Sequence, residues 1–266
     1  MSSTYIKAGF EGPKIASKIR SAPTFSIVTI AFNNPEELEE TIKSVSSQSF
    51  TDFEFIIVDG STSDKTEYLV GDYRNQVDLW IREPDRGIYD AMNKGINLAK
   101  GDWITFLNSG DVYSDGLLLS RLYGLMKEKD AVYFGSSLNI FPSGRSYLYP
   151  DFTYSGSNQY SWVRNNLPNH QAMFFPRRFY ESNRYFVNLR ISSDKEYKIR
   201  AFRKCRYFGL PVTVVKFGVV GVSSRIGELN VLLTLLKEEV FIWFRHGNLY
   251  GCCKSIVTHI VKFFLK

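Results

Sequence analysis

The sequence is poor in cysteine and lacks the motifs of several common enzyme classes. Its three cysteines, Cys205, Cys252 and Cys253, show no CxxC or Cys/His spacing, so neither a disulfide framework nor a zinc site is predicted. No GxxxxGKS/T is present, and no GxGxxG follows an apolar run. These absences argue against a P-loop phosphotransferase and a dinucleotide oxidoreductase.

Long apolar runs are also missing. Residues 1–20 lack the apolar core of a signal peptide, and no window reaches the roughly 18 uninterrupted apolar residues of a membrane span. Together with the few cysteines, this predicts a protein of the reducing cytosol. The formal net charge of +6 is spread along the chain. Its sign does not distinguish a nucleotide, a phosphate-bearing lipid and an acidic membrane surface.

What the chain does contain is enough apolar material for a full core and a clear strand and helix order. With 266 residues, 44% of them hydrophobic, it fits one generous domain with an appendage. Residues 1–24 are predicted as a leader. The runs FSIVTIA, FEFIIVDGS, DLWIR and WITFL predict strands at 25–31, 53–61, 78–82 and 103–107. Two amphipathic segments, at 34–48 and 87–101, predict helices between them, so we expect an α/β fold with a mixed, mostly parallel sheet.

Polar residues follow the ends of these strands. Asp59 ends the second run, the segment 83–85 follows the third, and Asn-Ser-Gly-Asp at 108–111 follows the fourth. In open α/β sheets, ligands bind beyond the carboxyl ends of the strands. We therefore expect these acids to lie close together on one rim.

The second half of the sequence is less regular. A helix is predicted near 116–127, a strand at 131–135, a helix at 192–204 with Ser192 or Ser193 as its cap, and one or two closing strands. From residue 225 the composition changes to an amphipathic pattern with six Lys/Arg and three Glu, a net of +3. Its apolar stripes are Leu229, Leu232, Leu233, Leu236, Val240 and Trp243, and then Ile256, Ile260, Phe263 and Phe264.

Each candidate site residue has a structural interpretation beside its functional one. Asn-Ser-Gly-Asp can be a simple turn, or Asp111 can hold a hard divalent cation that is shared with a diphosphate. Asp59 can be a turn acid or the acceptor for the ring imide of a pyrimidine base. Asp194 can be a first-turn helix acid or a general base. His170 alone is typical of a structural hydrogen-bonding histidine.

Taken in order, the motifs resemble those of a known family. They are FSIVTIAFNN, FEFIIVDGSTSDKT, EPDRGIYDAMNKGINLAKGDWITFLNSGD, LPNHQAMFFP, ISSDKEYKIRAF and FGVVGVSS. Over residues 25–224 the chain resembles the family 2 glycosyltransferases with the A-type (GT-A) fold, and in particular the bacterial enzymes that build exopolysaccharide, colanic-acid-type and O-antigen repeat units. The resemblance implies one Rossmann-like domain with a nucleotide-sugar half at 25–115 and an acceptor half at 116–224, followed by a basic amphipathic helical tail at 225–266.

The resemblance also implies chemistry and site residues. It implies inverting transfer from a nucleotide-diphospho-sugar, with UDP as the usual nucleotide and Mg²⁺ or Mn²⁺ as the metal. By motif position, Ala31, Asn33 and Asp59 line the base pocket, and Asp85 and Arg86 lie near the ribose or diphosphate. Asp111 would bind the metal, with Asn108 beside it on the nucleotide-sugar. Asp194 would be the general base, and His170 and Gln171 would contact the acceptor or the donor.

Two departures from the family pattern stand out. The common metal motif is Asp-x-Asp-Asp, whereas Asn108 and Gly110 stand here at the first two acid positions and only Asp111 remains. Metal coordination therefore carries less charge, and Asn108 or Ser109 assists through water. The late motif often reads Glu-Asp, but Ser193 precedes Asp194.

The family also implies partners and a location. Its acceptors are usually lipid-diphosphate-linked saccharides at the inner face of the cytoplasmic membrane, and we expect no nucleic-acid partner. The tail either attaches the protein peripherally to that membrane or packs on the domain or on a second subunit. A different class stays open as well, a catalytically silent nucleotide-sugar binder or assembly protein of a polysaccharide complex.

Overall fold

A computed structural model describes residues 14–16, 22–152, 166–218, 228–247 and 249–264. The strands are β1 Lys14–Ala16, β2 Phe25–Ala31, β3 Phe53–Asp59, β4 Leu79–Arg82, β5 Trp103–Phe106, β6 Val112–Tyr113, β7 Val132–Ile140, β8 Ser146–Tyr149, β9 Met173–Pro176 and β10 Tyr207–Gly218. The helices are α1 Pro35–Ser46, α2 Lys65–Asp72, α3 Ile88–Leu98, α4 Leu118–Leu125, α5 Arg177–Tyr180, α6 Ser193–Lys204, α7 Leu229–Arg245 and α8 Leu249–Phe264, with a 3-10 turn at His170–Ala172.

The strands form one mixed sheet whose longest ladders are parallel. Its order is β1-β4-β3-β2-β5-β9-β7-β10-β6, with β8 paired to β7. The ladders β2·β3, β2·β5, β3·β4 and β7·β10 are parallel, and β9 joins the two halves by antiparallel pairing to β5 and β7. The predicted α/β class with a mixed, mostly parallel sheet is therefore confirmed.

Buried apolar strands explain why the first half folds as predicted. Every residue of β2 is buried, as a strand covered by helices on both faces requires. Helix α3 approaches this strand closely at Gly95, where an added Cβ would lie 2.4 Å from a methyl carbon of Val28. Helix α1 begins as predicted with Pro35 in its first turn, but Asn34 makes no capping hydrogen bond. The Asn34 side-chain amide donates instead to the Glu37 carboxylate at 2.7 Å.

Two segments differ from their predictions. The segment predicted as a leader contains β1, which extends the sheet by antiparallel pairing of Lys14–Ala16 with β4. In the second half the predicted strand at 131–135 is longer, because β7 continues to Ile140 and pairs with β8. Most of the polar, aromatic stretch 153–166 and the end of the last motif, 219–224, lie outside the described residues.

The tail helix α7 packs on the domain, which is one of the alternatives that the sequence left open. Its buried residues are Leu232, Leu235, Glu238, Glu239 and Ile242. Of the apolar stripe, Leu232 is buried, whereas Leu229, Leu233 and Val240 are exposed. The docking face carries two glutamates that hydrogen-bond to the domain, so apolar periodicity alone could not find it. Of the helices in the described ranges, none combines the length and apolar character needed to span a bilayer.

Candidate active site

The carboxyl ends of the central strands bring the predicted donor residues together. In the sheet register Ala31 lies beside Asp59, and Asp59 lies beside Arg82. Strand β5 ends opposite Val28, after which the Ser109 N–H donates to the Ile30 carbonyl at 3.2 Å. The NSGD segment therefore runs alongside the end of β2, on the rim that the sequence predicted.

Asp59 is fully buried at the end of β3. Its Oδ1 accepts the Ser61 N–H at 2.8 Å, whereas its Oδ2 has no hydrogen-bond partner among the described residues. Burial raises the pKa of this carboxyl, against the hydrogen bonds from Ser61, the nearby Trp80 indole N–H and the charge of Arg82. A buried acceptor without a partner is costly, and either the Trp80 indole N–H, which also lacks a partner among the described residues, or a ligand can satisfy this oxygen.

Asn33 shapes the loop next to this acid. Its φ of +54° lies in the left-handed region, which asparagine tolerates better than most residues. Its N–H donates to the Ser61 hydroxyl at 2.8 Å, and its Oδ1 accepts the Thr62 N–H at 3.1 Å. These bonds tie the loop after β2 to the loop after β3, beside Asp59.

Asp85 lies against the same loop because residue 60 is glycine. A Cβ built on Gly60 would come within 2.1 Å of the Asp85 Oδ2, while the Asp85 Oδ1 accepts the Gly87 N–H at 2.8 Å. The neighbouring Arg86 side chain is 78% exposed and pairs with Asp90 at 3.3 Å. The structure therefore brings Asp85, but not the Arg86 guanidinium, towards Asp59.

The NSGD segment is a turn, as one of its two interpretations predicted. The Asp111 N–H donates to the Asn108 carbonyl at 2.9 Å, and Gly110 has a φ of +92°, which favours glycine. Thr41 on helix α1 holds the turn, since its hydroxyl accepts the Gly110 N–H at 3.0 Å and donates to the Asp111 carbonyl at 2.9 Å. A turn of this kind does not exclude a ligand on Asp111.

Asp111 is buried below this turn. Burial raises the pKa of its carboxyl to about 7, with a hydrogen bond from Gln171 opposing the rise and the Glu37 charge adding to it. Two further buried oxygens nearby in the chain, Asn108 Oδ1 and Ser109 Oγ, have no hydrogen-bond partner in the described part of the molecule. The turn thus contains, within four consecutive residues, one buried carboxylate and two hard oxygen atoms without hydrogen-bond partners among the described residues.

These oxygens fit a divalent cation only if a substrate completes its shell. Within the described ranges, no group of three or more His, Cys, Asp or Glu side chains is arranged to hold a metal. Mg²⁺ commonly binds to one or two carboxylates and takes its other ligands from water and substrate phosphates. Asp111, with the Asn108 amide oxygen, therefore fits a metal that is shared with a diphosphate.

Asp194 lies in the first turn of helix α6, and its carboxylate has three polar neighbours. The Lys198 ammonium lies 2.8 Å from Oδ2, the Tyr89 hydroxyl 3.3 Å from Oδ1, and the His170 Nδ1 3.6 Å from Oδ2. Burial alone would raise the pKa of Asp194, but Lys198 and His170 outweigh it and hold the pKa below its usual range. The side chain is still 20% exposed, so this ionised carboxylate can meet a substrate.

His170 connects the turn with Asp194. Its Nε2 lies 3.3 Å from the Asn108 side-chain amide nitrogen, and its Nδ1 faces Asp194. With the Asn108 nitrogen as donor, Nε2 is the acceptor, and the tautomer that carries its proton on Nδ1 directs that N–H towards Asp194. This orientation also turns the Asn108 Oδ1 away from the imidazole. One imidazole thus links the predicted metal segment to the predicted base.

A cleft of about 530 Å³ opens beside these groups. Its volume is within the usual range of small-molecule sites. Its lining residues come from the end of β2, the loops after β2, β4 and β5, and the start of α3, and they are Ile30, Phe32, Asn34, Asp85, Gly87, Ile88, Asn108 and Ser109. The cleft therefore lies where an α/β sheet usually binds its ligand.

Sequence reasoning missed two neighbours of Asp194. Lys198 is four residues later on the same helix, a spacing that predicts a contact, so the signal was present. Tyr89 lies 105 residues before Asp194, and no local pattern indicates their meeting. The functional role of each candidate residue stays a prediction.

Replacing Gly60 with alanine tests whether Asp85 must approach Asp59. The new methyl would collide with the Asp85 carboxylate, which must then turn away. If a nucleotide binds at this rim, as the resemblance implies, its Kd, measured by calorimetry, should rise about tenfold, or about 1.4 kcal/mol, while the melting temperature changes little. Gly124→Ala is the control, because nothing lies within 4 Å of the added carbon there. Equal nucleotide affinity in the two variants would contradict a role for the Asp85 position.

Comparison with known proteins gives several relatives of similar length. An uncharacterized glycosyltransferase of Mycobacterium tuberculosis is 29% identical over 227 residues, which cover 77% of this chain and 78% of the relative. A PGL/p-HBAD biosynthesis glycosyltransferase of Mycobacterium bovis is 28% identical over 232 residues, with 84% of each chain covered. Matches of this length extend beyond the predicted nucleotide-sugar half at 25–115.

Solved structures show the same fold. TarS 1–349 of S. aureus in complex with UDP superposes with a TM-score of 0.63 at 18% identity, covering 82% of this chain and 65% of the TarS chain. A mannosyltransferase of Pyrobaculum calidifontis in complex with GDP-Man and Mn²⁺ has a TM-score of 0.59 at 13% identity, covering 96% of this chain and 78% of its own. The predicted GT-A fold is thus confirmed.

The family model described as "Glycosyl transferase family 2" matches residues 26–197. This segment contains the strand ends, the NSGD turn, His170 and Asp194, so all predicted site residues fall inside the match. Since it spans more than half of the chain, the chain belongs to glycosyl transferase family 2 and is a glycosyltransferase.

Proposed function

We propose that this enzyme transfers a sugar, with inversion, from a nucleotide-diphospho-sugar to a lipid-linked saccharide in the synthesis of a bacterial surface polysaccharide. The observation that carries the proposal is the connection of Asn108 to Asp194 through His170, at 3.3 Å and 3.6 Å. Asn108 lines the cleft, and His170 connects it with the carboxylate that we propose as proton acceptor. An in-line transfer requires both a donor site and a proton acceptor.

The donor side of the proposal rests on the loops after β2, β3 and β4. The unpaired Asp59 Oδ2 is suited to accept the imide N–H of a uracil ring, and Asn33 and Ala31 border that position. Asp85 lies next to it and is suited to the ribose hydroxyls. UDP is favoured because Asp59 needs a hydrogen-bond donor and because TarS, of the same fold, is solved with UDP and with UDP-GlcNAc.

Asp111, with the Asn108 amide oxygen, would hold Mg²⁺ or Mn²⁺ against the diphosphate of the donor. When bound, the cation neutralises the charge that develops on the departing nucleoside diphosphate. The mannosyltransferase of the same fold is solved with Mn²⁺, which supports a divalent cation here. The chain keeps the turn rigid for this purpose through Thr41, whose hydroxyl bridges Gly110 and Asp111.

Asp194 would accept the proton from the acceptor hydroxyl as that oxygen attacks the anomeric carbon. The bond from this carbon to the diphosphate oxygen breaks on the opposite face, so the configuration inverts. The Nδ1–H of His170 and the Lys198 ammonium keep the carboxylate ionised and oriented for this step. A carboxylate so well stabilised is a modest base, and it takes the proton only once the hydroxyl becomes acidic during attack.

The lipid-linked acceptor is inferred from the outer face of the tail. Helix α7 exposes large apolar side chains to solvent, with Phe244 81% exposed. Apolar side chains beside basic residues suit the surface of an anionic membrane, where a lipid-linked acceptor is found. The tail thus packs on the domain with one face, and we propose that its other face meets the membrane.

A donor screen tests the proposed function. The full chain is incubated with UDP-glucose, UDP-galactose, UDP-N-acetylglucosamine or GDP-mannose, with Mn²⁺ and a polyprenyl-diphosphate-linked saccharide, and nucleoside diphosphate release is measured. We expect acceptor-dependent release with one donor and loss of release with EDTA. Tight nucleotide binding without any release would instead favour the silent nucleotide-sugar binder. NMR of the product anomer tests inversion.

A further inference from the structure

We infer that Glu238, in the tail helix α7, is a positioning residue for Asp194. This inference rests on the proposed function, because it concerns the same proton acceptor. Glu238 lies outside the family match, which ends at residue 197. It also lies in the segment that the sequence predicted as a separate tail. The family motifs therefore give no indication of a role for Glu238.

The Glu238 carboxylate binds three consecutive backbone amides directly before helix α6. Its Oε1 accepts the Arg190 N–H, and its Oε2 accepts the Ile191 N–H at 3.1 Å and the Ser192 N–H at 2.8 Å. The side chain of Glu238 is buried, with 6% of the residue exposed. A single ionised group thus fixes the path of the chain over the residues that lead to Asp194.

Helix α6 lacks the usual means of fixing its own start. Ser192 occupies the N-cap position without a side-chain capping hydrogen bond. In a capping box, a Glu or Gln at the third helical position accepts the N–H of the cap residue, but Lys195 stands there and pairs with Glu239 at 2.7 Å. Glu238 supplies the missing carboxylate from another helix, and a negative charge at a helix N-terminus is favourable.

The same short segment is held from the opposite side by the nucleotide half. The Tyr89 hydroxyl, on helix α3, donates to the Ile191 carbonyl at 2.6 Å and lies 3.3 Å from the Asp194 Oδ1. Ile191 is therefore bound at its N–H by Glu238 and at its carbonyl by Tyr89. Two helices thus set the position of Asp194 relative to the cleft, and one of them is the tail helix.

If Glu238 only attached α7 to the domain, the neighbouring Glu239 would have the same role. Glu239 is also buried on α7 and joins it to α6 through Lys195, while its carboxylate accepts the Trp243 indole N–H at 2.8 Å. It makes no hydrogen bond to the 190–192 amides in the described structure. If α7 only had to be attached, loss of either glutamate would have the same effect on catalysis.

The test compares Glu238→Ala, Glu238→Gln and Glu239→Ala in the full chain, with Asp194→Asn as reference. Transfer is followed with the donor and acceptor selected in the screen above, and UDP affinity is measured by calorimetry. Because misplacement by about 1 Å can lower a rate about 100-fold, we expect kcat to fall 10- to 100-fold in Glu238→Ala. Glu238→Gln keeps one acceptor oxygen and should fall less. Glu239→Ala should lose melting temperature but stay within about threefold of wild-type kcat, with UDP affinity unchanged throughout.

Amide hydrogen exchange gives a second readout that does not depend on activity. The amides of residues 190–192 should lose protection in Glu238→Ala and keep it in Glu239→Ala. Wild-type kcat in Glu238→Ala, together with an inactive Asp194→Asn, would overturn the positioning role. Equal loss of kcat in Glu238→Ala and Glu239→Ala would overturn it as well, in favour of general docking. An active Asp194→Asn would instead remove the base assignment on which the proposed function depends.

Discussion

Asp194→Asn should lower the rate of sugar transfer by about 10²- to 10⁴-fold, the range expected for loss of a general base. The amide has nearly the same shape and keeps one acceptor oxygen for Lys198, but its nitrogen then faces the Tyr89 hydroxyl, and the group cannot take a proton. The donor pocket is built by other loops, so the KM for the nucleotide-sugar should change little. Steady-state kinetics with saturating acceptor measure both quantities.

Loss of the charge also affects the fold. The Lys198 ammonium is nearly buried and loses its ionised partner, so we expect the free energy of unfolding to fall by about 1–3 kcal/mol. Kinetics are therefore compared well below the melting temperature. Glu181→Gln is the control, because it removes an exposed acid from the same half of the domain. A fully active Asp194→Asn variant would exclude proton transfer to this residue.

The local order of strands and helices in the first half was predictable. Apolar runs such as 25–31 and 53–61 are bounded by polar residues and separated by an amphipathic helix, and the four predicted strands begin and end within two residues of the observed ones, although helix α2 was not predicted. The exit of Asp59 and Asp111 on one rim followed from the parallel sheet. Glycine at position 110 suits the positive φ of the turn, and glycine at position 95 lets α3 lie close to Val28. The sequence alone did not show that either position needs a glycine.

Most of the contacts around Asp194 could not be predicted from local sequence patterns. Tyr89 and Glu238 come from distant helices, and their contacts exist only in the folded chain. The packing face of α7 could not be derived from apolar periodicity for a related reason, because that face includes Glu238 and Glu239. Arg86 shows that a motif position does not fix where a side chain points. The resemblance implies a place near the ribose or diphosphate, but the guanidinium pairs with Asp90 at the surface.

Replacing Asp111 with asparagine should separate catalysis from folding. Removal of a single group that stabilises developing charge lowers a rate about 10²- to 10³-fold, and we expect a loss of this size in Asp111→Asn at saturating Mn²⁺. The fold should not suffer, because Asp111 is buried and repelled by Glu37. A neutral amide of the same shape avoids the desolvation of a buried charge. The melting temperature without metal should therefore stay constant or rise.

The thermal response to ligands completes this test. Ligands that bind only the folded state raise the melting temperature according to their affinity. In the wild type we expect UDP with Mn²⁺ to raise it more than UDP with EDTA, whereas in Asp111→Asn the two increments should be equal. Asp115→Asn, an exposed acid paired with Arg121, should behave like the wild type. A Mn²⁺-dependent increment that persists in Asp111→Asn would place the cation on other oxygens. Asn108 and Ser109 would then be the next candidates, because their buried side-chain oxygens lack partners in the described structure.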